Sequence, residues 1–190
     1  MEQLESLLAY RPALIIGDAA TVALDERISA FDAVLQRAEH LGMNILLELR
    51  ENAGLFFDAA RSWDAHKAAE LEREYKDSIA TLKPTLEVTH LAAVNWSAVI
   101  SVCEDTCLEQ ALQTRVDRAP SSRTLTLVSH PGVHPPARTV PVFRLLGDIY
   151  SSSEESRLAT SASDLLLRKQ EWSDLLTDFG DYAKNAVVIV

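Results

Sequence analysis

Trp96-Ser97-Ala98-Val99-Ile100-Ser101-Val102-Cys103-Glu104-Asp105-Thr106-Cys107-Leu108-Glu109-Gln110-Ala111-Leu112 is the stretch that decides how this 190-residue chain folds. Ala98 to Val102 is a short apolar run rich in β-branched residues and reads as a buried strand. Asp105 and Thr106 suit the start of a helix, because a side-chain oxygen there accepts from a backbone N–H of the first turn that has no other partner. Leu108, Ala111 and Leu112 then recur at helical spacing. The stretch is a strand feeding a helix N-terminus, the unit from which α/β domains are built.

Working outward, the same kind of strand occurs at Ala13-Leu14-Ile15-Ile16-Gly17, after a short amphipathic helix with Leu4, Leu7 and Leu8 that Pro12 breaks. Between these strands the apolar residues return every three or four positions. Ile28, Phe31, Val34 and Leu35, then Leu46, Leu47, Leu49, Phe56 and Phe57, predict two helices from Asp25 to about Arg61, broken near Gly42. Asp64 to Leu82, rich in Ala, Glu and Lys, predicts a third helix ending before Pro84, and a short fourth approaches Trp96. Downstream, Thr124 to Val128 and Val140 to Leu146 read as strands. Between them His130-Pro131-Gly132-Val133-His134-Pro135-Pro136 cannot be helical. Ser151 to Glu155 is polar and predicted to be mobile. Ser161 to Asp164 has the form of a capping box that opens a helix through Leu165, Leu166, Leu167, Trp172, Leu175, Leu176 and Phe179. Ala186-Val187-Val188-Ile189-Val190 reads as a last buried strand with no turn behind it, so the chain is expected to be the N-terminal part of a longer protein.

Apolar strands separated by helices predict an α/β, Rossmann-like, mainly parallel sheet with helices on both faces and a helical insertion after the first strand, in one domain over residues 1–190. With 47% hydrophobic residues the chain can bury an ordinary core. Its 18 basic and 28 acidic residues give a formal charge of -10, which disfavours nucleic-acid backbones and anionic membrane surfaces as partners. No apolar run reaches the roughly 20 residues of a membrane span. Met1 to Tyr10 lacks the form of an export signal, and Cys103 and Cys107 are the only cysteines, so a cytoplasmic location is expected.

Three segments resemble the sirtuin-like NAD-consuming domains at the front of bacterial anti-phage defence proteins. Ile100, Asp105, Thr106, Leu108, Glu109, Ala111 and Leu112 match that family's strand and turn, I-T-T-N-Y-D-T-L-L-E-x-A-L. Val140-Pro141-Val142-Phe143-Arg144-Leu145-Leu146-Gly147-Asp148-Ile149 is similar to its V-x-K-L-H-G-D-I strand. Leu158-Ala159-Thr160, continuing through Asp164, Trp172 and Leu176 to the last strand, is similar to the helical return that follows. The resemblance implies NAD or ADP-ribose as ligand, with Gly17, Asp105 and Gly147 at the cofactor. It also implies that the catalytic positions are Cys103, where the family has Asn, and Leu146, where it has the His that serves as base. Leucine holds no proton to exchange, and Glu104 and Asp105 beside Cys103 raise rather than lower its thiol pKa. Asp18, after the single glycine of the first turn, repels a diphosphate.

The resemblance therefore implies a catalytically depleted domain, a protein-interaction or nucleotide-sensing module of a defence or regulatory protein, working with protein partners or as a homo-oligomer. The alternative is an active NAD glycohydrolase whose catalytic groups have moved, with Asp105 acting beside His130 or His134. The other chemistry-bearing residues have bland readings. Cys103, Cys107, His130 and His134 have the spacing of a zinc set, but Cys107 falls inside an expected helix and the histidines sit in a Pro-rich loop, so no metal site is assigned. Asp105 and Glu109 are expected to hold the turn and pair with a neighbouring helix. Trp63, Trp96 and Trp172 are expected as core or interdomain anchors, His40, His66 and His90 as surface or satisfied residues, and Glu70 to Lys76 as a solvated face.

Overall fold

The structure is a computed structural model that describes residues 11–17, 24–43, 49–118, 123–153, 156–183 and 186–189. The expected helix at Leu4 to Leu8 lies outside these residues, as do Asp18, Leu46, Leu47, Glu154, Glu155 and Val190. β1 (Ala13–Gly17) leads into α1 (Leu24–His40), α2 (Ala53–Trp63), α3 (Ala65–Ala80) and α4 (Leu86–Ala92) before the chain returns as β2 (Val99–Val102). Then follow α5 (Cys107–Arg118), β3 (Thr124–Val128), β4 (Thr139–Arg144), α6 (Ala162–Tyr182) and β5 (Ala186–Ile189). The five strands form one sheet in the order β3-β4-β2-β1-β5, and every neighbouring pair is parallel. This is the expected Rossmann-like α/β plan with a helical insertion after the first strand.

Strand alternation distributes the core. Leu14, Ile16, Val99, Cys103, Val140 and Val142 face α4 and α5, where they meet Val88, Ala92, Trp96, Leu108 and Leu112. Ala13, Ala98, Ile100 and Phe143 face the other way, onto Leu175 and Phe179 of α6. β1, β2 and β4 are largely buried because both of their faces are covered, whereas the edge strand β3 keeps Thr124 and Leu127 exposed. The Trp96 indole donates to the Leu91 carbonyl at 2.8 Å, which satisfies its one donor.

The inserted helices form a third layer with its own core. Phe31, Phe56, Phe57 and Tyr75 pack there, with edge-to-face contacts of 5.4 Å between Phe31 and Phe56 and 5.3 Å between Phe56 and Phe57. The same cluster takes in Val102, Leu146, Ile149, Leu158 and Trp172, so this layer rests on the carboxyl ends of β2 and β4. Gly42 at φ +75° lets the chain leave α1, with Met43 N–H donating to the Ala38 carbonyl at 2.9 Å. The second helix starts at Asn52, whose side chain accepts from Leu55 N–H at 3.0 Å, later than the apolar spacing predicts. Asp64, extended at φ -152°, ends α2 and caps α3 by accepting from His66 and Lys67.

β4 ends at Arg144 rather than at the expected Leu146, because Gly147 at φ +92° turns the chain there and its N–H bonds to the Arg144 carbonyl. β3 and β4 are parallel neighbours joined by ten residues, Ser129 to Arg138, with no helix among them. A five-residue strand rises about 16 Å, and an extended ten-residue segment reaches about 33 Å, so a Pro-rich extended chain is long enough to make the crossover. The Pro-rich loop is that crossover. It crosses the α6 face, with Val133 in the cluster there and Gly132 N–H bonded to Asp178.

Candidate functional site

In open parallel sheets ligands bind at the carboxyl ends of the strands. Gly17, Asp105 and Gly147 come together at that edge, at or just beyond the ends of β1, β2 and β4. Gly17 is in register with Val102, the last residue of β2, and Cys103 Sγ lies 3.8 Å from the Ile16 carbonyl. Asp105 is buried, and its Oδ1 accepts from Cys107 N–H at 2.8 Å, which starts α5 in the expected manner. At Gly147 a side chain would overlap the Arg157 carbonyl and the Arg168 guanidinium, so the close approach that this glycine allows is made by the protein itself.

The two positions implied as catalytic do not face each other. Cys103 is 1% exposed in the cluster beneath α4 and α5, whereas Leu146 is 8% exposed in the core of the inserted helices. Their side chains belong to different clusters. The Leu146 carbonyl is also engaged, by Ala159 N–H at 2.8 Å.

Arg144 organises this edge and has no part in the expectations above. Its guanidinium is fully buried and makes five hydrogen bonds: to the carbonyls of Gly147 (3.0 Å), Cys103 (3.0 Å), Glu104 (3.2 Å) and Asp105 (3.0 Å), and to Glu109 Oε1 (2.7 Å). Glu109 thus pairs with a strand, not with the neighbouring helix that its position suggests. Its Oε2 is buried without a hydrogen bond, and burial pushes its pKa up against the lowering pull of Arg144. A lone cation inside the apolar run Val140 to Leu146 is the sequence signal of a buried pair; its partner, 35 residues away, carries no such mark. Arg168, 5% exposed, does similar work, donating to the carbonyls of Ser129 (2.6 Å) and Arg157 (2.9 Å). These two arginines fasten the turns after β2, β3 and β4.

A second charged cluster joins the inserted helices to α6. Arg61 of α2 donates to both carboxylate oxygens of Asp164, at 3.0 and 2.7 Å, and to Ser161, while its Nε bonds to Glu72. The expected capping box is present, with Asp164 N–H to Ser161 Oγ at 3.1 Å and Ser161 N–H to Asp164 Oδ2 at 3.3 Å. Burial acts to raise the Asp164 carboxyl, but the hydrogen bond and charge of Arg61, helped by Ser161 N–H and Arg157, hold it at about 2. Arg61 is raised in turn, chiefly by its hydrogen bonds to Glu72 and Asp164. Arg157 reaches Asp164 Oδ1 at 3.4 Å. Lys76 stands in the same field; burial pulls its pKa down against the opposing charge of Glu72.

His130 Nδ1 lies 3.1 Å from its neighbour's carbonyl at Pro131, in the crossover loop, and His40 Nδ1 lies 2.7 Å from the Gln36 carbonyl. Among the described residues no three His, Cys, Asp or Glu side chains group as metal ligands. Trp96 is buried and Trp172 partly buried, the latter donating to the Leu145 carbonyl at 3.0 Å, but Trp63 is 54% exposed at the end of α2. Part of the Glu70 to Lys76 face lines an open groove of about 580 Å³ with Arg37, Glu70, Arg73, Glu74 and Asp77. Lys76 is not part of that groove. No helix among the described residues is long and apolar enough to cross a membrane. No protein-family model and no curated protein matches the chain.

Proposed function

We propose that this chain is a sirtuin-like domain without NAD turnover, serving a bacterial defence or regulatory protein as a nucleotide-sensing or protein-interaction module. One observation carries the reading. Cys103 and Leu146, at the two positions where the resembled family keeps its catalytic Asn and His, are buried in separate apolar clusters. A buried thiol and a leucine offer no base and no shared approach to a ribose. The two internal arginine networks support it further, since they spend buried cations on holding the chain's own turns.

The test is nicotinamide release from NAD by the purified chain, followed beside thermal unfolding with NAD and with ADP-ribose. The expected result is no release above the spontaneous rate. A rise of the unfolding midpoint with nucleotide supports sensing, because a ligand that binds only the folded state must stabilise it. No rise at millimolar nucleotide leaves protein contact or self-association as the function, read by light scattering. Sustained release would overturn the proposal in favour of a glycohydrolase with relocated groups.

A further inference from the structure

We propose that the outer edge of β3 pairs antiparallel with β3 of a second copy of this chain, about a two-fold axis at Thr126. β3 ends the sheet order, so one of its edges meets β4 and the other meets no strand among the described residues. Which residues turn outward follows from the register. Thr126 lies opposite Pro141, which has no N–H to give. Thr126 therefore makes both ladder bonds at that position, and Leu125 and Leu127 direct their N–H and C=O groups away from β4. Neither of these two makes a backbone bond to any other described segment. The neighbouring segments cover faces, not this edge: Leu125 packs toward α5 on one face, and the Pro-rich crossover passes over the other, where Val133 and Gly132 meet α6.

An open edge is a template for another strand, and proteins blunt such edges with charges, prolines or bulges. Thr124-Leu125-Thr126-Leu127-Val128 has no charge and no proline, and its register with β4 runs without a bulge. Both ends are fixed before any partner arrives. Arg123 turns its guanidinium inward to the Trp96 and Thr139 carbonyls, and Arg168 holds the Ser129 carbonyl. A second copy is the occupant because the strand is self-complementary, as a two-fold contact requires. The axis at Thr126 sets Leu125 of each copy opposite Leu127 of the other, and each such pair exchanges two backbone hydrogen bonds. Thr126 then faces its own equivalent and Thr124 faces Val128, so no like charges meet. That matters in a chain of net charge -10, most of whose surface repels its copy. Leu127, 38% exposed, is covered by the pairing.

The inference deepens the self-association form of the reading above and rests on that form alone, not on the loss of NAD turnover. The experiment is size-exclusion chromatography with light scattering on the full chain over a concentration series, beside Thr126→Lys and Thr126→Glu. A dimer is expected at about 100 µM that dissociates toward about 1 µM, the range of a small interface. Each variant sets like charges directly opposite and should weaken the dimer about fivefold or more, and an equal mixture of the two should restore it. A variant that merely misfolded would not be rescued in this way. Thr126→Cys should form a disulfide-linked dimer on mild oxidation, because the two equivalent positions lie about 4.5 Å apart at Cα. Ser173→Cys, exposed on α6, should not, and Cys103 and Cys107 are buried. A chain that stays monomeric at about 100 µM would overturn the pairing and leave the edge to a strand of a different protein. A dimer unchanged by both charge variants, or no cross-link through Thr126→Cys, would overturn it as well. Nicotinamide release by a dimeric chain would sink the reading without turnover and keep the pairing, whereas a monomer that releases none would do the reverse.

Discussion

Replacing Arg144 with Met removes a buried guanidinium and its five hydrogen bonds while filling much of the same space. Two costs follow. Glu109 is left as a buried carboxylate without a counter-charge, and it can escape only by taking up a proton. From its ordinary value of 4.5, protonation at pH 7 costs about 2.5 × 1.36, or about 3.4 kcal/mol, which caps the charge part. Four carbonyls also lose a donor, and after relaxation this adds about 1–3 kcal/mol. The sum, at most about 4–6 kcal/mol because Glu109 is already raised beside Arg144, is a large share of the roughly 5–15 kcal/mol that stabilises a domain. For a chain of this size it should lower the thermal midpoint by about 10–20 °C. The charge part has a pH signature: at pH 5 protonation costs only about 0.7 kcal/mol, so the variant should lose about 2–3 kcal/mol less there than at pH 7. Adding Glu109→Gln should recover a similar amount at pH 7. Urea unfolding followed by circular dichroism and tryptophan fluorescence measures all three proteins. A loss below about 1 kcal/mol at pH 7, or one that does not depend on pH, would refute the reasoning.

Asp164, held at about 2 against an ordinary 3.8, contributes stability that is full above pH 4 and is lost as pH falls toward 2. With a discount for solvent screening this is about 1–2 kcal/mol, and Asp164→Asn should flatten the acid limb of the pH–stability curve. Gly147→Ala should cost more than about 3 kcal/mol, because the added methyl meets a carbonyl and a buried guanidinium and the backbone has a positive φ; a soluble variant with an unchanged midpoint would refute that packing. Ser161→Ala removes a cap and an Arg61 contact together, and a loss of about 1–2 kcal/mol in chemical denaturation is expected.

Local chemistry determined much of this protein from the sequence alone. Apolar runs at Ala13–Gly17, Ala98 to Val102 and Val140 to Leu146 mark buried strands, because a strand covered on both faces has no need of polar alternation, though the last strand stops at Arg144. Gly42 and the Ser161–Asp164 box mark helix ends, because caps and left-handed turns are settled within a few residues. Only the tertiary structure decided the rest. The sheet order, the helix-free crossover through the prolines, and the seating of the inserted helices on the carboxyl ends of β2 and β4 depend on packing between distant segments. So do the partners of Arg144 and Arg61. A buried cation can be suspected from one arginine in an apolar strand, but whether Glu109, Glu72 or Asp164 answers it is set by which carboxylate the fold brings within about 3 Å, where desolvation makes a partner obligatory.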